Sequence, residues 1–491
     1  MKSKFSKVLS ILLSVVLVIS SFYLLYQVIR LNVLPSKFLF PLTIGVVVLD
    51  AIFVLLLVYF SKNVVSKIVC IVLTLFICVA SCMGGYYISK TQNVLSSITN
   101  VAKHAKNTVS VIVKESSSIK NKSQLNGVSV GSLRLNEQGS KKVLKELSGE
   151  GIVLNQTEYD SMTALLEAFY NGEVDSIIIN ESSRSQILDM ETYSNFDSNT
   201  RVVYQTSYKV KNNDSATSVS DITSKPFNVL ISGSDTRGGF DENGRSDVIM
   251  IATVNPKTHT ILLTSVPRDF YVTTACDAGD GCMQGALDKI THTGIHGTNT
   301  TKRTVEQLLG IEINYTFKVG FDTVTELVDV LGGVDVYVEP GYATTTSEFS
   351  VHEGVNHLNG EQALAFARER YSYTEGDRQR TKNQQQVLMG IVKEATKPSV
   401  ITNYAAIMDT MANTFSTTMS NAEITDLIKY QLNNNPTWKM EQYMVDGTGD
   451  TLMCAELGDA ASVMVPDQST VKMAKDKINA VLAGKSSEDV K

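Results

Sequence analysis

The sequence lacks an excess of positive charge, zinc-site spacing, internal repeats and long low-complexity tracts. Lys and Arg number 44 against 50 Asp and Glu, which gives a formal net charge of −6. Nucleic acid is therefore excluded as the main partner, because proteins that bind it present a basic surface. No second Cys or His pair stands beside Cys276 and Cys282 at the spacing of a zinc site. The spacing does not favour a zinc module, and the chain is not a repeat array.

Charge is also missing from three long apolar runs near the N-terminus. Val8–Ile29 and Ile68–Ile88 carry no charged residue, and Phe38–Phe60 carries only Asp50. Each run reaches the roughly 20 residues that cross a hydrocarbon core of about 30 Å. The first run is too long for a cleaved signal peptide, and two more follow it closely. The sequence predicts three transmembrane helices over residues 1–90.

The charges that flank these runs predict their orientation. By the positive-inside rule, five basic residues on one side against two on the other place the N-terminus in the cytoplasm. Everything after Ile88 is then extracellular. Asp50 has two interpretations, a functional carboxylate or one that is hydrogen-bonded within the helix bundle. The flanking residues are Lys2, Lys4, Lys7, Lys62 and Lys67 on the cytoplasmic side, and Arg30 and Lys37 on the other.

Two of the six cysteines lie outside the membrane on either side of a short loop. Cys276 and Cys282 bracket Asp-Ala-Gly-Asp-Gly, in a compartment where thiols are oxidised. A local disulfide is the favoured prediction, with metal binding as its rival.

Hydrophobic patterning predicts two α/β domains outside the membrane. The smaller is an accessory domain over residues 91–220, with an amphipathic helix at Met162–Tyr170 and a buried strand at Ser176–Ile179. A polar linker, Lys211–Ser224, leads to the larger domain at 226–482, and 483–491 forms a disordered tail. Buried strands alternate with helices in the larger domain, which predicts a central mixed sheet with helices on both faces. Its predicted strands include Phe227–Ile231, Val248–Thr253 and Thr260–Ser265.

Some motifs in these domains imitate known sites. Gly127–Gly131 has the spacing of a hydrolase nucleophile elbow but lies inside a predicted strand, where that turn does not form. Gly484-Lys485-Ser486 lacks the first glycine of a phosphate loop. His292 and His296 have helical spacing, but Gly294 lies between them and no third ligand is evident. We interpret both histidines as structural.

Two loops of the larger domain collect charge where strands end, which is where ligands bind in α/β sheets. Asp235 follows one strand and Asp247 precedes the next. Two carboxylates suit a hard cation such as Mg²⁺, although aspartates are also ordinary turn residues. In the second loop Pro267 presents Arg268, and Asp269 orients it.

The third charged segment joins two predicted helices. Asn359 is predicted to cap the first helix, and Arg368-Glu369-Arg370 follows it. Asp377 is predicted to cap the second, in which Arg380 and Gln384 share a face. Arginines at a helix N-terminus suit a phosphate or pyrophosphate. The alternative is a solvated face whose acidic residues neutralise the arginines. Those acidic residues are Glu369, Glu375 and Asp377.

A series of motifs in fixed order resembles the LytR-CpsA-Psr family over about Phe227–Leu482. Three spans followed by an extra extracellular domain resemble its streptococcal capsule branch, CpsA. The motifs are Asn228–Arg237, Arg245-Ser246-Asp247, Pro267-Arg268-Asp269, Lys289–His292, Leu331–Val336, Leu358–Leu364, Arg368-Glu369-Arg370 and Gly376–Arg380.

The resemblance implies a Mg²⁺-dependent phosphotransferase, with Mn²⁺ as another metal it accepts. Members move capsular polysaccharide or teichoic acid from an undecaprenyl-pyrophosphate carrier to peptidoglycan. By matching motif, Asp235 and Asp247 would hold the metal. Asp235 or Asp377 would take the acceptor proton, and Asn383 departs from the arginine that many members have. The implied pyrophosphate-binding residues are Arg245, Arg268, Lys289, Arg368, Arg370, Arg380 and Gln384.

A rival function belongs to a different class. The chain would be a non-catalytic regulator of capsule synthesis that binds the lipid intermediate as a sensor. The carboxylate pair favours the enzyme, because a sensor would not require a metal. Other capsule-assembly proteins are further expected partners.

Overall fold

The structure is a computed structural model. It describes residues 2–60, 63–101, 104–211, 214–234, 242–277, 281–397, 406–407, 410 and 415–490. Contacts divide the chain into two compact units. The first unit combines Met1–Ser97, Ala395–Ala412 and Ser420–Thr437, and the second holds the remainder.

Three N-terminal helices dominate the first unit. Lys7–Leu31, Ser36–Phe60 and Val64–Val94 are each long and apolar enough to cross a membrane. Asp50 accepts a hydrogen bond from Ser21 Oγ at 2.9 Å, which supports its interpretation as a carboxylate bonded within the bundle. The helices are α1 (Lys2–Leu31), α2 (Ser36–Leu55), which continues as a π-helical turn at Leu56–Phe60, and α3 (Val64–Val101).

The accessory domain is a five-stranded sheet between helices. Its strand order is β3-β2-β4-β1-β5, parallel across β3-β2-β4 and antiparallel across β4-β1-β5. Alternate residues of β4 face opposite sides. Ile177 packs with α5, and Ile178 packs with α4. The elements are β1 (His104–Lys114), β2 (Ser129–Leu133), α4 (Glu137–Gly149), β3 (Asn155–Tyr159), α5 (Met162–Asn171), β4 (Ser176–Asn180), α6 (Arg184–Asp189), α7 (Phe196–Asn199) and β5 (Thr200–Lys211).

A six-stranded mixed sheet forms the centre of the larger domain. Its order is β16-β11-β6-β7-β8-β17, with parallel pairing at β11–β6 and β8–β17. Every residue of β8 is buried, so both faces of the sheet are covered, as the sequence predicts. The sheet strands are β6 (Phe227–Ser234), β7 (Val248–Asn255), β8 (Thr260–Val266), β11 (Tyr315–Gly320), β16 (Phe415–Thr417) and β17 (Lys439–Met444).

The helices of this domain bury apolar faces in two clusters. The C-terminal helix and α8 pack on Leu230, Ile251 and Leu262 of the sheet. A second cluster joins α9, α10 and α11 to a small two-stranded sheet. The helices are α8 (Thr298–Leu309), α9 (Phe321–Leu331), α10 (Gly360–Arg368), α11 (Asp377–Ala395), α12 (Asn421–Asn434) and α13 (Gln468–Leu482). The small strands are β9 (Tyr271–Thr273), β10 (Leu287–Lys289), β12 (Val334–Val338), β13 (Thr344–Thr345), β14 (Ser350–Val351), β15 (Gly354–Leu358), β18 (Gly447–Cys454) and β19 (Asp459–Pro466).

One sequence prediction outside the sheets is confirmed. Cys276 and Cys282 form a disulfide, as predicted. The helix α12 groups with the membrane helices, where Lys429 Nζ donates to Asn32 Oδ1 at 2.8 Å.

Candidate active site

The loop that enters β7 carries two predicted site residues, Arg245 and Asp247. Its backbone is fixed by hydrogen bonds from Asp247 N to Gly233 O and from Ser246 N to Thr291 O, both 2.9 Å. Gly294 allows the 290–296 turn to approach this closely, because a Cβ there would lie 2.5 Å from Ser246 N. Asp235, the other predicted metal ligand, lies outside the described residues.

Asp247 joins this loop to the end of β8. Its Oδ1 accepts a hydrogen bond from Arg268 Nη1 at 2.7 Å. Its Oδ2 lies 3.9 Å from Arg245 Nη2, which is beyond hydrogen-bond distance. The two side chains of the closer pair are only 11% and 17% exposed, so this charge pair is largely shielded from water. Asp247 lies in a loop, yet the fold encloses its carboxylate.

Asp269 continues the network beyond Arg268. It lies 3.8 Å from Arg268 Nε and 3.3 Å from Lys289 Nζ. The prediction that Asp269 orients Arg268 agrees with this geometry, and the same carboxylate also holds Lys289.

The N-terminus of α11 brings the third charged segment to the same place. Arg380 forms an ion pair with Asp377. Burial, with the positive charges of Arg268 and Arg370 close by, lowers the pKa of Arg380, although Asp377 and Asp247 partly oppose this. Burial also acts to lower the pKa of Arg268, but Asp247 and Asp269 outweigh it and the net pKa is raised. The three segments thus converge on one arginine cluster.

Unmet hydrogen-bond donors distinguish this cluster from an ordinary salt-bridge network. Within the described part of the chain, the buried Nε atoms of Arg245, Arg268 and Arg380 have no hydrogen-bond partner. A buried donor without a partner costs about 1–3 kcal/mol, and more when it is charged. Guanidinium donors without protein acceptors suit an anion with several oxygens.

Two predicted residues lie at the margin of the cluster. The guanidinium of Arg368 lies 5.2 Å from the centre of the Phe321 ring, and the side chain is exposed. Gln384 follows Arg380 by one turn of α11 and is half-buried. Arg370 donates to its neighbour Tyr371 Oη at 2.6 Å and contributes to the field at Arg380.

One sequence prediction about these helices is confirmed, and a second is corrected. Asn359 caps α10, and its side chain accepts from Gln362 N at 2.9 Å, as predicted. Asp377 is the first residue of α11 rather than its N-cap, because Gly376 before it has a φ of 53°. Its carboxylate therefore stands in the first helical turn, where it pairs with Arg380.

Asn383, the departure from the family pattern, is a core residue. It is 1% exposed, and its Nδ2 donates to Phe366 O at 3.0 Å. Its Oδ1 accepts from Gln379 Nε2 at 3.0 Å. In this chain the position ties α11 to α10 and takes no part in the arginine cluster.

His292 and His296 each pair with a carboxylate, which agrees with the structural role predicted from the sequence. His292 Nδ1 lies 2.7 Å from Asp288 Oδ1, and His296 Nε2 lies 2.9 Å from Glu456 Oε2. Asp288 Oδ2 also accepts a hydrogen bond from Glu456 N at 2.7 Å. Burial acts most strongly, to raise the pKa of Asp288, but His292 and the backbone N–H groups of Glu456 and Lys289 together outweigh it and the net pKa is lowered.

The oxygen donors near the arginine cluster decide whether a divalent cation could bind there. Asp247 offers a carboxylate oxygen, Oδ2, that makes no contact closer than 3.9 Å among the ion pairs of the described residues. Carboxylate oxygen is the ligand that Mg²⁺ prefers, usually one or two carboxylates with water and substrate phosphate. No group of three His, Cys, Asp or Glu within the described ranges could hold a metal by itself. The arrangement therefore fits Mg²⁺ but not a closed zinc-type site.

One contact of the cluster is missed by sequence reasoning. Arg245 forms an ion pair with Asp189, the last residue of α6 in the accessory domain. Nothing in the sequence signals this pairing, because the two residues are 56 positions apart and belong to different predicted domains.

A match to a protein family identifies the class of protein to which this fold belongs. The profile of the LytR_cpsA_psr family matches residues 192–480. The chain belongs to the LytR-CpsA-Psr family.

Individual relatives are teichoic acid transferases. The chain is 33% identical over 207 residues to the polyisoprenyl-teichoic acid–peptidoglycan teichoic acid transferase TagU of Bacillus cereus, which covers 42% of this chain and 65% of that protein. It is 35% identical over 196 residues to TagU of Bacillus subtilis, covering 40% and 60%. The crystal structure of Bacillus subtilis TagU aligns with 29% identity and a TM-score of 0.40 over 52% of this chain and 97% of that one. The chain thus spans less than two thirds of the length of these curated relatives.

Proposed function

We propose that this chain is a phosphotransferase that moves a glycopolymer from a polyprenyl-pyrophosphate carrier to peptidoglycan. The observation that carries the proposal is the arginine cluster, in which Arg245, Arg268 and Arg380 hold buried Nε donors without protein acceptors. A pyrophosphate supplies many anionic oxygens to such donors. The named activity of the TagU relatives is in accord with it.

The reaction requires little beyond positioning and charge neutralisation. An acceptor hydroxyl of peptidoglycan attacks the phosphorus that bears the sugar. A new P–O bond forms to the acceptor, and the bond to the second phosphate breaks to release polyprenyl phosphate. The hydroxyl proton passes to a carboxylate, for which Asp235 and Asp377 are the two proposed acceptors. Arg268 and Arg380 stabilise the charge that develops on the phosphate oxygens.

Mg²⁺ is the proposed cofactor, with Mn²⁺ as an alternative. Asp247 would hold it through Oδ2, together with Asp235. When bound, the cation neutralises phosphate charge that the arginines leave unmatched. Arg268 keeps the Asp247 carboxylate oriented through its bond to Oδ1.

The proposed location follows from the three apolar helices. Basic residues predominate in the loops assigned to the cytoplasm, so the N-terminus lies inside and the arginine cluster outside. Protease added to cells stripped of their wall should cut after Ile88 and leave the N-terminus protected. Protection of the α/β domains would overturn this orientation.

The proposed substrate is a capsular polysaccharide or a teichoic-acid-like polymer. Three spans followed by an accessory domain resemble the capsule branch of the family. The direct test supplies purified full-length protein in detergent with a labelled lipid-linked oligosaccharide and peptidoglycan. Label should move to peptidoglycan only with the divalent cation. Binding of the lipid without any transfer would favour the sensor function, and full transfer in excess chelator would remove the metal from the proposal.

A further inference from the structure

The accessory domain contacts the arginine cluster through the carboxylate of Asp189. Asp189 ends α6 and pairs with Nη1 of Arg245. The Arg245 side chain is 14% exposed, whereas that of Asp189 is 61% exposed. A solvated carboxylate from one domain therefore holds a largely buried guanidinium of the other.

The same loop, residues 242–247, is held by the accessory domain at its other end. Glu242 has a side chain only 6% exposed, and Lys106 Nζ lies 3.3 Å from its carboxylate. Thr108 Oγ1 donates to the same carboxylate, and β1 forms a parallel bridge to Glu242. The loop that carries Arg245 and Asp247 thus contacts the accessory domain at two points, Glu242 and Arg245.

A separate contact anchors that domain away from the loop. Thr163 N and Oγ1 both donate to Leu457 O at 3.1 Å, at the turn between β18 and β19. The accessory domain is therefore held on the larger domain by a contact other than the Asp189–Arg245 bond, which allows Asp189 to direct the arginine.

Arg245 lies between two carboxylates. Among the described residues, Asp189 and Asp247 are those within 4 Å of its guanidinium, and the separation from Asp247 Oδ2 is 3.9 Å. Without Asp189 the guanidinium would move onto Asp247, because a buried cation takes the nearest anion. That movement would occupy Oδ2 and would engage the Arg245 donors with a protein carboxylate instead of leaving them for a phosphate.

We propose that Asp189 is a positioning residue that holds Arg245 apart from Asp247, so that the accessory domain completes the pyrophosphate site. The proposal rests on the proposed function, since it concerns the same site. It assigns the accessory domain a part, exerted through Arg245, in recognition of the polyprenyl pyrophosphate.

The test measures binding of farnesyl pyrophosphate to the full-length protein in detergent. Asp189→Asn should weaken affinity about three- to fivefold, the effect of losing one partly exposed ion pair. Asp189→Glu, which restores the charge, should recover most of the affinity. Asp160→Asn is the matched control, because Asp160 is an exposed accessory-domain carboxylate that pairs with Arg134 of its own domain at 3.0 Å. This control should bind like wild type.

A double-mutant cycle separates positioning from a general structural effect. In an Arg245→Gln background, Asp189→Asn should have no further effect, because the residue through which it acts is gone. Equal losses in both backgrounds would overturn the proposal, as would unchanged or tighter binding by Asp189→Asn alone. If the wild type itself fails to bind the probe, the proposed function fails instead.

Discussion

The arginine cluster and the histidine pairs both contain buried ionisable side chains, but these side chains are paired differently in the two regions. In the histidine region one ring nitrogen of each histidine meets a carboxylate, at 2.7 Å for His292 Nδ1 and 2.9 Å for His296 Nε2. In the arginine cluster, the positive charges of Arg268 and Arg370 act to lower the pKa of Arg380. The Nε atom of Arg380 has no hydrogen-bond partner among the described residues.

This difference separates a structural network from a binding site. Paired charges satisfy one another and stabilise the fold, as far as a buried pair can. Cations gathered beside unmet donors destabilise the free protein, and an anion relieves that cost. Disruption of the first region should therefore appear mainly as lost stability, and disruption of the second as lost binding and catalysis.

The largest expected effect is that of Asp247→Asn. The change keeps the shape of the side chain but removes the charge that faces Arg268 and the proposed cation. Phosphotransfer should fall about a hundred- to thousandfold, as when one preorganised electrostatic group is lost. The assay is transfer of labelled glycopolymer by the purified full-length protein, with a melting curve to show that the variant is folded. Wild-type turnover would exclude Asp247 from the site.

Arg380→Lys comes next. Lysine keeps the charge but loses the planar fork, so affinity for farnesyl pyrophosphate should fall about ten- to a hundredfold. Arg378→Lys is the matched control, since Arg378 stands on the same helix and bonds Asp446 Oδ1 at 2.8 Å and Gly447 O at 2.9 Å. The control should bind normally. If Arg380→Lys instead binds normally and only melts lower, Arg380 belongs to a salt-bridge network with Asp377.

The opposite pattern is expected for Asp288→Ala in the histidine region. His292 Nδ1 and Glu456 N both lose their acceptor, and Asp288 is 3% exposed. The free energy of unfolding should fall by about 1–3 kcal/mol in denaturant titrations of the detergent-solubilised protein. Wild-type stability would contradict the structural interpretation of this network.

The smallest effect concerns pH. The pKa of Asp288 is lowered in the folded protein, so the ionised form is favoured by folding. The stabilisation is present above the unfolded pKa of about 4 and is lost as pH falls through the folded value. Melting temperatures from pH 6 down to 3 should fall less steeply for Asp288→Asn than for wild type. Parallel curves would show that this carboxylate does not contribute.

Local patterns predicted the buried strands of the larger domain well. The apolar runs at Phe227–Ile231, Val248–Thr253 and Thr260–Ser265 became β6, β7 and β8. A short run of apolar residues indicates a strand that is buried on both faces, and this pattern can be recognised from consecutive residues alone. The hairpin of β18 and β19 was not predicted, because its residues are mostly exposed and give little apolar signal.

The sequence motifs predicted many of the residues that form the site, but not their burial or their tertiary contacts. Asp247, Arg268, Lys289, Asp377 and Arg380 do come together, but the burial of Arg380, 12% exposed at the side chain, could not be inferred from a polar segment. The inward orientation of Asn383 and the pairing of Arg245 with Asp189 depend on tertiary packing. The local sequence gives no signal for either feature.

The most direct test of the arginine cluster compares two ligands that differ only in the headgroup. Farnesyl pyrophosphate and farnesol are titrated into the full-length wild-type protein in the same detergent. If the cluster binds pyrophosphate, the first ligand binds and the second binds at least about tenfold more weakly, since several charge-assisted hydrogen bonds are lost. Equal affinity for the two ligands would contradict the assignment of these arginines to a pyrophosphate site.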